Sequence, residues 1–274
     1  METRFETPAP DDRALDPARD PFRGRTLWIL AAMAFLAGLA TVPYIAALTA
    51  GLPGSRGIAD LGWARIVFLT ALEALIVSLP IAWLGLTLLP KTGLPGAPHV
   101  RALLAREPMS RRPIATGFAQ GLAIGTGIAL LVIGLDAAGI EAKPIVEIES
   151  PAWWQGLLAS FGAGVREEIW FRLGVMTVAL RGLGAIAKRE SPPAWAFWTA
   201  NAVAALLFGA IHIPQAIAFM KVTPAVLAVV VGANAVAGLG FGWIYRRGGI
   251  EAAMAAHFAT DIVLHVLVPA VPGQ

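Results

Sequence analysis

Seven long apolar runs decide what this chain can fold into. They lie at about 26–49, 62–89, 113–135, 152–180, 194–216, 224–245 and 250–269. A run of roughly 18 or more apolar residues is long enough to cross the hydrocarbon of a bilayer as a helix. The expected fold is therefore all-α: a polytopic membrane helical bundle of about seven transmembrane helices. Composition agrees, since 57% of the residues are hydrophobic and only 14% charged, far from the balance of a soluble domain.

The basic residues give an orientation. Ahead of the first run stand Arg4, Arg13, Arg19, Arg23 and Arg25, and the next loop has Arg56 alone. Loop 90–112 carries Lys91, Arg101, Arg106, Arg111 and Arg112, and the loop after it only Lys143. Arg181, Lys188 and Arg189 follow, then Lys221 alone, then Arg246 and Arg247 together, and none after the last run. High and low alternate without exception. By the positive-inside rule the N-terminus is cytoplasmic and the C-terminus outside. Residues 1–25 mix Arg, Asp and Pro without apolar periodicity and read as a disordered cytoplasmic tail, followed by a bundle over 26–270. The first run is too long for a signal-peptide core, so no cleavage is expected. The richness in Ala, Gly, Arg and Pro suggests a bacterial source, and hence the inner (cytoplasmic) membrane. Without any cysteine the chain has no disulfides, thiolate nucleophile or thiolate metal site. It carries neither a phosphate-binding glycine loop nor a nucleic-acid motif, so the expected partners are the lipid bilayer and a peptide or protein in or at it.

Charges inside the apolar runs carry the functional signal. Arg166, Glu167, Glu168 and Arg172 fall within seven residues of the fourth run. A charge at the bilayer centre costs roughly 3 kcal/mol or more, so such residues face a cavity or a partner. On a helix Glu168 and Arg172 are four apart and can pair. Glu167 points about 100° away and lacks that partner. The group reads either as an ion pair locking two helices or as a buried base beside one. His212 follows Phe208 by one turn in the fifth run, and His257 and Asp261 share a face in the seventh, a stripe that His265 continues. Asn201 lies on the helical face of His212, eleven residues before it, and is expected to support the site. Glu73, Gln120 and Asn234 are isolated polar residues for which interhelical hydrogen bonds are expected, and Gly117, Gly121 and Gly125 form a small-residue row for close helix packing.

Acidic groups and histidines on three runs are affordable together only at one water-filled site. Two chemistries fit. Glu with His can hold and deprotonate a water while a second His stabilises an oxyanion. Alternatively Glu167, His212 and His257 bind zinc and activate its water. Both hydrolyse an acyl compound, most simply a peptide bond. No serine or cysteine adjoins these residues as a nucleophile.

Glu167-Glu168-x-x-x-Arg172, Phe208-x-x-x-His212 and His257-x-x-x-Asp261, in that order, resemble the three motifs of the CAAX protease and bacteriocin-processing (CPBP, ABI) family of intramembrane endopeptidases. Segment 238–245 resembles the family too, and the likeness covers about 152–268. It implies a site buried in the membrane and reached from the cytoplasmic side. It makes Glu167 the base and His212 its partner, with Glu168, Arg172 and Phe208 supporting. His257 and residue 261 take the oxyanion or metal role. Asp261 stands where the family commonly has Asn, and we expect it to be protonated and donating. The implied substrates are lipidated or membrane-associated peptides, with either no cofactor or zinc. A non-proteolytic bacteriocin-immunity or sequestering protein and a proton-coupled transporter are the alternatives, though no internal inverted repeat supports transport. Depth sets one requirement. Straight helices with these boundaries spread Glu167, His212 and His257 over on the order of 16 Å at ~1.5 Å per residue. A tilt, a break near Pro214 or shifted boundaries must absorb that spread.

Overall fold

A computed structural model describes residues 20–50, 58–140, 143–145, 150–189 and 191–270. The expected tail up to residue 19, with Arg4, Arg13 and Arg19, and the loop residue Arg56 lie outside the described residues. Residues 23–25, read as tail from their charge, are already helical.

Among the described residues seven helices are long and apolar enough to cross a membrane, as the sequence requires. We label α1 Arg23–Ala50, α2 Trp63–Leu88, a short α3 Pro98–Ala105, α4 Arg112–Ala137 and α5 Trp153–Ile186. The fifth crossing is α6 Ala194–Ile211 and α7 Ile213–Phe219, and the last two are α8 Pro224–Gly248 and α9 Ile250–Leu267. Among the described residues the only β feature is an isolated antiparallel bridge, Pro144 with Met220. Trp28, Trp63, Trp83, Trp153, Trp154, Trp195, Trp198 and Trp243 are exposed near helix ends, where an aromatic belt meets the membrane interface.

Two boundaries moved for physical reasons. α5 runs through Arg181 to Ile186. That arginine marks where the helix leaves the apolar layer, since its long stem lets the charge reach water without ending the helix. Loop 90–112 holds α3, which begins at Pro98. The Glu251 carboxylate accepts from His99 N and Val100 N, both at 2.9 Å, and so caps α3 from the start of α9.

α9 sits centrally, packed on α4, α5 and α8, while α1 packs on α5 and α6 on α8. The α4–α9 approach depends on the glycine row. A Cβ on Gly117 or Gly121 would overlap the carbonyl oxygens of Ala252 and Ala256, and one on Gly125 would lie 2.7 Å from that of Thr260. Thr260 Oγ1 uses the closeness to donate to the Gly121 carbonyl at 2.9 Å. With no hydrophobic drive between helices in lipid, such backbone approach is what associates them.

Candidate active site

α5 brings Glu167 and Glu168 to the middle of the bundle. It is α-helical through Glu168 and π-helical over Ile169–Met176. Thr177 Oγ1 donates to the Arg172 carbonyl at 3.1 Å across the widened turn. Glu168 and Arg172 are both fully buried, with Arg172 Nε 3.2 Å from Glu168 Oε2. Arg172 Nη2 donates to the Gly238 carbonyl of α8 at 2.8 Å. Its guanidinium lies 4.8 Å from the Phe208 ring centre and 5.3 Å from that of Phe241. Aromatic faces and a carbonyl surround the cation, while Arg172 Nη1 has no hydrogen-bond partner among the described residues.

Glu168 has a second partner that spacing along one helix does not reveal. His257 Nδ1 donates to Glu168 Oε1 at 2.9 Å. This commits one ring nitrogen and turns the other, Nε2, toward Glu167 Oε2 at 3.8 Å and Asp261 Oδ2 at 3.6 Å. The ring stacks on Phe241 at 4.7 Å and meets Phe208 edge-on at 5.4 Å. Glu167 Oε2 accepts no hydrogen bond from the described residues, although it is buried.

His212 occupies the break between α6 and α7, two residues before Pro214. The expected break thus exists, two residues before the proline itself, because Pro214 cannot donate back into α6. The His212 Nδ1 donates to the Phe208 carbonyl at 2.8 Å, which leaves Nε2 as its free nitrogen. Phe208 stands between the histidines, 5.1 Å from the His212 ring centre.

Glu167, His212, His257 and Asp261 line one cavity of about 1080 Å³. On every helix the wall runs away from these residues in a single direction. From His257 it continues to Asp261, Leu264 and His265; from His212 to Phe219 and Met220; from Glu167 back to Ala163 and Ala159. Thr41 to Leu48 of α1 and Pro144 complete that end, which is opposite the basic loops 90–111 and 181–189. Below the four residues the chain is closed by fully buried Ile169, Leu173, Tyr245 and Ile250. Cytoplasmic access, which the resemblance implies, and a cytoplasmic N-terminus, which the Lys/Arg pattern implies, therefore do not fit together in this fold.

Several expected placements differ. Asn201 shares the helical face of His212 but lies on the order of 16 Å along the axis, and it does not line the cavity. Its Nδ2 donates to the Leu239 carbonyl at 3.0 Å, tying α6 to α8. Asn234 does line the cavity, yet its side chain donates to Val230 of its own helix at 2.9 Å instead of crossing to another. Gln120 is exposed on α4. Glu73 crosses to another helix as an ion pair with Arg166 at 3.4 Å, not as the expected hydrogen bond, and its one hydrogen bond among the described residues, from Ser78 Oγ at 3.1 Å, stays within its own helix. Tyr44, Gln215 and Phe241 were not singled out from the sequence. Phe241 was within reach, since it falls in the family-like segment 238–245.

Zinc held by Glu167, His212 and His257 does not fit this geometry. Among the described residues no three His, Cys, Asp or Glu side chains are placed to share an ion, although the Nδ1 bonds leave Nε2 of both histidines open, as a metal ligand would require.

No curated protein matches the chain. No solved structure matches it either. One family model does, over residues 149–263, which include all three motifs and exclude α1 to α4. The seven apolar helices make the protein an integral membrane protein, and the family supports intramembrane endopeptidase activity in general terms. Segment 149–263 thus carries the match to the Type II CAAX prenyl endopeptidase Rce1-like family, in agreement with the resemblance in the sequence.

Proposed function

We propose that the protein is an intramembrane endopeptidase that cleaves membrane-associated or lipidated peptides with a water activated by Glu167. The observation that carries this reading is the convergence of Glu167, His212, His257 and Asp261, from three crossings, on one cavity. An ion pair meant only to lock helices needs no cavity and no histidines.

In this mechanism a water sits between Glu167 Oε2, which accepts from no donor among the described residues, and His212 Nε2. Glu167 takes a proton from it as general base. The water oxygen bonds to the scissile carbonyl carbon, and the carbonyl electron pair moves onto oxygen. His257, held through Nδ1 by Glu168 at 2.9 Å, donates Nε2–H to that oxyanion, and so carries both ring hydrogens. Protonated Asp261 is the second donor. Collapse breaks the C–N bond, and the leaving amine takes the proton from Glu167. Arg172 and Phe208 position these groups. The protease core is assigned to about 152–268, and no step runs through a metal. Comparing the C-terminal peptides of membranes with and without this protein tests the reading. New C-termini that appear only with the protein support it, and identical sets contradict it.

A further inference from the structure

We infer that the site is entered from the non-cytoplasmic side of the membrane, so that its substrates are peptide segments of membrane-anchored proteins exposed on that face. The inference rests on the hydrolase reading only for the word substrate; the direction of entry stands on geometry and charge.

The geometry is consistent across five elements. The cavity wall follows α1 toward its C-terminal end at Leu48, α5 toward its N-terminal end at Ala159, and α7 toward Met220. It follows α8 toward its N-terminal end at Val230 and α9 toward its C-terminal end at His265. These five ends lie on one side of an up-and-down bundle. The wall includes no residue of loops 90–111 or 181–193, nor of the turn at 246–249. In that direction the catalytic layer is backed by the buried Glu168–Arg172 pair and by Leu173, Tyr245 and Ile250. A chain entering from that side would have to displace a buried ion pair and packed core.

Charge tells which side is which. Of the 17 Lys and Arg among the described residues, twelve lie at the closed end and two, Arg166 and Arg172, in mid-bundle. The remaining three, Arg65, Lys143 and Lys221, lie at the open end. The positive-inside rule counts short loops and residues near helix ends, so a bias of this size orients the closed end to the cytoplasm. The open end then faces outward. Loop 143–145 and residues 219–221 are stitched together there, Lys221 N donating to the Lys143 carbonyl at 2.8 Å and Ile145 N to that of Phe219 at 3.1 Å. Pro144 and Met220 of this ribbon both line the cavity.

The absence of cysteine makes the test direct. Met220→Cys places a thiol on the cavity wall, and Met109→Cys places one in the exposed basic loop. Leu48→Cys is a second cavity probe should Met220→Cys fold poorly. Each variant, in the full chain in intact cells with the outer envelope removed, is treated with a membrane-impermeant maleimide, then again after permeabilisation. Labelling of Met220→Cys or Leu48→Cys in intact cells, with Met109→Cys labelled only after permeabilisation, is expected. Labelling of the cavity probes only after permeabilisation, or of Met109→Cys in intact cells, overturns the inference. The readout needs no substrate. A reversed pattern therefore removes the side of entry alone, while the C-terminal peptide comparison judges hydrolysis independently.

Discussion

His257 donates its Nδ1 hydrogen to Glu168 at 2.9 Å, across 89 residues of sequence and between two crossing helices. The same carboxylate faces Arg172 on its other oxygen at 3.2 Å. Glu168 therefore does two things at once: it neutralises a buried cation and it fixes which histidine nitrogen faces the cavity.

Arg172→Ala should harm folding before it harms chemistry. It leaves Glu168 as a buried charge whose counter-ion is gone, a loss of about 3–5 kcal/mol, and it opens the space between Phe208 and Phe241. Thermal unfolding in detergent measures this. A variant that unfolds within a degree of the parent contradicts the structural role.

Asn201→Ala separates packing from catalysis. It removes the bond to the Leu239 carbonyl, which keeps its own helical partner, at a cost of about 0.5–1.5 kcal/mol. The unfolding temperature should fall while kcat of the folded fraction stays near the parent value. A selective loss of kcat would bring Asn201 into the site.

Asp261 discriminates between a donor and a charge. Its Oδ2 lies 3.6 Å from His257 Nε2, beside the edge from which an oxyanion must be reached. If Asp261 donates as a protonated acid, Asp261→Asn keeps substantial activity, because the amide also donates, and Asp261→Ala loses most of it. Peptide cleavage by both variants decides. Equal inactivity of Asn and Ala means that the ionised carboxylate is the working form.

Metal dependence follows from the donor arrangement. With no three side chains among the described residues placed to share an ion, chelation should leave cleavage unchanged. Stoichiometric zinc in purified active protein, together with reversible loss on chelation, contradicts this.

The pattern of what was legible in the sequence has a physical basis. Ionisable residues contrast sharply with an apolar run, so Glu167, Glu168, Arg172, His212, His257 and Asp261 stood out, as did the crossings themselves. Pro214 announced the break that brings His212 into place. Phe241 and Gly238 offered no such contrast, being an apolar ring and a glycine in an apolar helix, yet one stacks on His257 and the other's carbonyl holds Arg172. Helical phase misled at Asn201, because it fixes direction around an axis and not distance along it. The second partner of Glu168 and the end to which the cavity runs depend on how helices assemble, which no single periodicity contains.

Glu167→Gln tests the central claim most directly. The change keeps the volume, removes the base and leaves the Glu168–Arg172–His257 network intact, so the protein should fold as the parent does. Cleavage of a peptide identified from the C-terminal comparison, measured with purified parent and variant, should fall by at least ~10²-fold in kcat. A folded Glu167→Gln protein that cleaves at the parent rate contradicts the account.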